Sequence, residues 1–113
     1  MSLEIEEAES RVASRKAKLQ ATFREGKRSV ENAQQSIESM NVAIELARAD
    51  SQVAEEEISY LRQQLVIGGS TLDSVLTAEA HLYDAEAKEI NFLAEKRKSE
   101  LIILGTFGLL DLR

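Results

Sequence analysis

The chain has 113 residues, enough for one domain at most. It contains no Pro, Cys or Trp and only five Gly, with 30% charged residues. That profile belongs to long uninterrupted helices and excludes a disulfide framework and a zinc site built on thiolates. With a formal net charge of −6 and acids and bases intermixed, no basic stripe stands ready to follow a phosphate backbone, so nucleic acid is not an expected partner.

The first helix is expected from about 3 to 67. Steps of three and four residues from Ile5 trace one apolar seam through Val12, Leu19, Phe23, Val30, Ala33, Ile37, Met40, Ile44, Ala47, Ala54, Ile58, Leu61 and Leu65. Only Glu9, Lys16, Gly26 and Ser51 interrupt it. A repeat held this strictly keeps one seam facing a partner, which predicts a left-handed coiled coil. Nearer the middle of the chain, Val42, Leu46, Ala49, Val53 and Tyr60 form a second seam, expected on a face adjacent to the first, and two seams imply two neighbours. The alanines on these faces favour close approach of helix axes, as in a wall of laterally packed helices. Gly26 is read as a point of close contact, because glycine inside a helix costs about 1 kcal/mol relative to alanine.

The stretch Leu65-Val66-Ile67-Gly68-Gly69-Ser70-Thr71-Leu72-Asp73 then stops one helical pattern and starts another. Gly68 and Gly69 suit the left-handed conformation that ends a helix, and Ser70 followed by Asp73 is a variant capping box for the next. The tip of the hairpin is therefore placed at 68–70. The second helix is expected from about 71 to 104, with a tail over 105–113. Its apolar side chains, from Leu72 and Val75 through Ile90 to Leu101, spread over roughly 240° at about 100° per residue, wider than an ordinary surface helix shows. Asp73, Thr77, His81, Asp84, Lys88, Asn91 and Glu95 form the remaining, wet face.

The expected fold is thus all-α, a long antiparallel helical hairpin of unequal helices suited to an α-helical barrel wall. At about 1.5 Å per residue the first helix outruns the second by tens of ångströms. Val12, Leu19 and Phe23 on the overhang, and the tail from Leu101 to Leu110, have nothing in the chain to cover them. The chain is expected to oligomerise or to be cut from a longer protein. No apolar run is long enough to span a bilayer as a helix. His81 is the lone histidine and has no second His or Cys to complete a metal site or a nucleophile pair, so neither a catalytic residue, a metal nor a cofactor is expected. The run Glu55-Glu56-Glu57 reads as a solvated stretch between seam positions.

From Tyr60 to Leu110 the chain resembles the periplasmic tip of the TolC-like outer membrane efflux proteins. Their repeat runs approximately Y-x-x-G-x-x-T-x-x-D-V-L-x-A-x-x-x-L, followed by an alanine-rich helix that closes on G-x-L. Gly68, Thr71, Val75, Leu76, Ala78 and Leu82 fall on that pattern in register, and Gly108 with Leu110 is similar to the closing motif. Leu65 replaces the usual Tyr, Ser74 stands where the pattern has Asp, and Asp73 lies one position earlier.

The resemblance implies a trimer whose long helices form a tunnel across the periplasm beneath an outer membrane β-barrel, in drug efflux or type I secretion. It places this chain in the periplasmic portion of a Gram-negative outer membrane protein. It implies docking of a periplasmic adaptor (membrane fusion) protein, and through it an inner membrane transporter, at Gly68, Gly69, Ser70 and Thr71. It also implies a channel entrance lined by Leu65, Asp73, Ser74 and Thr77. The competing expectation is a coiled-coil scaffold or adaptor with no transport role, whose tip is only a turn.

Overall fold

The computed structural model describes residues 2–111, with side chains through 108. It contains two helices, α1 (Ser2–Val66) and α2 (Leu72–Asp111), and among the described residues no strand. The helices fold back on each other into a rod of 99 × 20 × 15 Å. Its length is that of α1 alone, since 65 residues at about 1.5 Å each span roughly 98 Å. The antiparallel register is fixed by Arg62 on Glu79, Arg48 on Glu89, and the Ser99 hydroxyl donating to Ser36 at 3.1 Å. All three pairings converge on the turn.

The inner face of α1 is the expected seam. From Gly26 through Val30, Ala33, Ile37, Met40, Ile44, Ala47, Ser51, Ala54 and Ile58 to Leu61, every seam position is buried or half-buried. Small side chains dominate the most buried positions: Ala33, Ala47 and Ala54 on α1, and Val75, Ala78 and Ala85 on α2. Gly26 is a contact point, as expected: a Cβ placed there would lie 3.4 Å from the Thr106 methyl group. Because alanines bury few methylenes, at about 0.8 kcal/mol each, the inner seam gives α1 and α2 a defined register more than a large store of stability.

On α2 the inner face differs from the sequence expectation. The positions turned toward α1 also keep a three-and-four spacing: Val75, Ala78, Leu82, Ala85, Glu89, Phe92, Lys96, Ser99, Ile103 and Thr106. Four of these are polar. The more apolar set, Leu76, Tyr83, Ile90, Leu101 and Leu104, is exposed on the outer side. At about 100° per residue this outer stripe lies roughly 150° from the inner one. The second seam of α1 behaves alike. Val42, Leu46, Val53 and Tyr60 are exposed on a face roughly 160° from the inner seam, opposite to it and not adjacent as expected. The hairpin is therefore a ribbon two helices wide with an apolar stripe along each outer edge.

A second correction concerns the far end. α2 does not stop near Leu104 but continues as helix to Asp111, and Gly105 and Gly108 lie within it. Each glycine costs about 1 kcal/mol in a helix without forcing it to end. Residues 112–113, and the Leu110 side chain of the closing motif, lie outside the described residues.

Candidate functional site at the hairpin tip

The chain reverses through a Schellman-type ending. Gly68 has φ of 79°, the one position of positive φ among the described residues. Its N–H donates to the Leu65 carbonyl at 3.3 Å, and the Gly69 N–H donates to the Gln64 carbonyl at 2.7 Å. These two bonds satisfy carbonyls that the last turn of α1 leaves without partners. The two tip glycines thus have different jobs. Gly68 supplies the left-handed backbone, with open space where a Cβ would stand. At Gly69 a Cβ would press on the far end of the flexible Gln64 side chain.

The start of α2 corrects the expected cap. Thr71, not Ser70, is the N-cap: its Oγ1 accepts from the Ser74 N–H at 3.2 Å, and its carbonyl accepts from the Val75 N–H at 3.2 Å. The Thr71 and Ser74 hydroxyls are also 3.0 Å apart, within hydrogen-bond distance. Ser70 instead turns inward, and its half-buried hydroxyl donates to the Leu61 carbonyl at 2.6 Å, stitching the turn to α1. Asp73 accepts on its carbonyl a hydrogen bond from the Thr77 hydroxyl at 2.9 Å, and its carboxylate is left to interact with the first turn of the helix.

The groups expected to dock a partner therefore divide. Gly68 and Gly69 are exposed at the apex, whereas the hydroxyls of Ser70 and Thr71 are engaged within the turn. The entrance candidates Asp73, Ser74 and Thr77 are exposed, and the Leu65 side chain is 37% exposed at the end of the inner seam. His81, Asp84, Lys88, Asn91 and Glu95 continue the wet face of α2, all exposed. Among the described residues, no group of three His, Cys, Asp or Glu side chains is disposed to hold a metal ion, and no helix is long and apolar enough to cross a membrane.

What the glycine and hydroxyl pattern concealed is the apolar character of the apex. Val66 is 87% exposed, Ile67 75% and Leu72 60%, with Leu76 one turn behind. Three large aliphatic side chains are thus exposed at the end of the rod. Between residues 55 and 84 the sequence holds six acids, Glu55, Glu56, Glu57, Asp73, Glu79 and Asp84, against one base, Arg62. The signal was present in the sequence as Val66-Ile67 beside the glycines, but side chains next to a turn have no periodicity by which to assign them to a face.

The two glycines make a stability prediction. Gly68→Val should destabilise the hairpin by about 1–2 kcal/mol, because a β-branched residue is strained at positive φ. Gly69→Ala should cost only a few tenths of that, since the clashing Gln64 side chain can swing away. Thermal melts of the two variants followed by far-UV circular dichroism test this, and equal losses would contradict the division of roles. Comparison with family models, with curated proteins and with solved structures finds no match to this chain.

Proposed function

We propose that this chain is a periplasmic wall segment of a trimeric, TolC-like outer membrane channel for efflux or type I secretion, and that its tip docks a periplasmic adaptor protein. The observation that carries this reading is the ribbon with two apolar outer edges. Each helix has one seam for its hairpin partner and another, on nearly the opposite side, for a further helix. The outer stripe of α1, from Val42 to Tyr60, and that of α2, from Leu76 to Ile90, occupy the same length of the rod, as the Arg48–Glu89 and Arg62–Glu79 pairings require. Such a ribbon is suited to repeat laterally and close into a tunnel, whereas a plain two-helix scaffold needs only its inner seam. The likeness of the tip to the TolC-like repeat supports the same reading and supplies its direction, with the apex toward the adaptor.

The test is thiol labelling of the full-length protein assembled in the outer membrane. With single substitutions Val53→Cys on the α1 edge, Tyr83→Cys on the α2 edge and His81→Cys on the wet face, the edge cysteines should be protected and the wet-face cysteine should react readily. Edge cysteines that react as fast as His81→Cys would sink the wall assignment, because the outer seams would then be free of neighbouring helices.

A further inference from the structure

Between 65 and 74 every residue is exposed except Ser70, which is half-buried. The aliphatic apex around it belongs to both helices: Val66 is the last residue of α1, Ile67 follows it, and Leu72 is the first residue of α2. Where Leu72 stands relative to Val66 and Ile67 is therefore set by the turn. The bonds from Gly68 to Leu65 and from Gly69 to Gln64 close the end of α1, and those of Thr71 with Ser74 and Val75 close the start of α2. Among the described residues one hydrogen bond ties the two together at the tip, from the Ser70 hydroxyl to the Leu61 carbonyl at 2.6 Å. The next pairing between the helices is Arg62 on Glu79, about two turns into α2.

We infer that Ser70 is a positioning residue for the docking apex and not itself a contact of the partner. Its hydroxyl draws the turn onto α1 and so sets the arrangement of Val66, Ile67 and Leu72 that a partner meets. A carbonyl has two lone pairs, so one inside a helix, such as that of Leu61, can accept this further donor and keep its place in the helix. A hydrogen bond is directional, and the turn that it holds is arranged before any partner arrives, which leaves less ordering to oppose binding. Ser70→Ala removes that tie without touching either helix, since Ser70 lies in neither. The segment between Gly69 and Thr71 is then free to shift Leu72 against Val66 and Ile67. This role rests on the proposed docking of the tip, and it differs from the sequence expectation, which set Ser70 among the contacting groups.

Two variants test it: Ser70→Ala, which removes the donor, and Ser70→Thr, which keeps it. In the 113-residue chain, Ser70→Ala should speed amide hydrogen exchange at Gly69 and Ser74 by about fivefold to tenfold, as loss of one hydrogen bond implies, with Ala47 and Ala85 unchanged. Ser70→Thr should exchange like the unaltered chain. In the full-length protein, Ser70→Ala should lower export severalfold with an undiminished amount of assembled oligomer, and Ser70→Thr should restore it. Loss of export with unchanged exchange overturns the inference, because the hydroxyl would then be a contact of the partner. So does a Ser70→Thr protein that behaves as Ser70→Ala does, and so does normal export by Ser70→Ala. In that last case Leu72→Asp separates the two failures. If Leu72→Asp blocks export, docking by the tip stands and only the role of Ser70 falls; if it exports normally, the docking itself is wrong.

Discussion

A full-length protein carrying Leu46→Asp together with Val53→Asp should fail to assemble, while the isolated hairpin with the same changes stays folded. Both side chains are about 62% exposed on the outer edge of α1, so replacing them removes no contact with α2. The cost to the hairpin is confined to the lower helix propensity of Asp, under about 1 kcal/mol per site. In a laterally packed wall the same positions are buried against a neighbouring helix. There each substitution forfeits about 1.5–3 kcal/mol of aliphatic burial and sets an unpaired carboxylate against apolar surface, at a cost of several kcal/mol more. Circular dichroism of the hairpin and the amount of heat-resistant oligomer in outer membranes separate the two effects. Normal assembly of the double variant would mean that the outer seam faces water in the mature protein.

How much of this was legible beforehand differs between the two helices for a physical reason. The inner seam of α1 could be traced residue by residue from Gly26 to Leu61, because nearly all of its members are apolar and the 3.5-residue repeat is unbroken. On α2 hydrophobicity points the wrong way. The face that meets α1 includes Glu89, Lys96, Ser99 and Thr106, whereas Leu76, Tyr83, Ile90 and Leu104 look outward. A pattern of apolar residues says that a face is covered, not by whom. Glu89 is tolerated at the inner seam because Arg48 reaches it, and Ser99 because Ser36 does.

At the tip, the glycines announced the reversal correctly, but three hydroxyls within five residues offered more than one cap. The bond from Gly69 to Gln64 turns the chain so that Ser70 points back at Leu61, which leaves Thr71 to begin α2. No short-range rule distinguishes Ser70 from Thr71 before that bond is known. The exposed aliphatic apex was hidden for a related reason, since Val66 and Ile67 follow Leu65, the last residue of the seam, and no periodicity assigns them to a face.

The second large effect is expected at that apex, from Leu72→Asp. Leu72 is the first residue of α2 and is 60% exposed. An acidic residue in the first turn of a helix interacts favourably with the unpaired N–H groups there, by about 0.3–1 kcal/mol, so the turn should fold at least as well as before. On the proposed docking role of the tip, the same change is severe. It places a charge among the exposed Val66, Ile67 and Leu72 side chains, which the proposed end-to-end contact would desolvate.

Export by cells whose full-length protein carries Leu72→Asp, with the outer membrane oligomer quantified in the same cells, therefore tests most directly whether the chain is a channel wall that docks by its tip. Loss of export with an undiminished amount of assembled oligomer is the expected result. Export at the normal rate from that oligomer would contradict it.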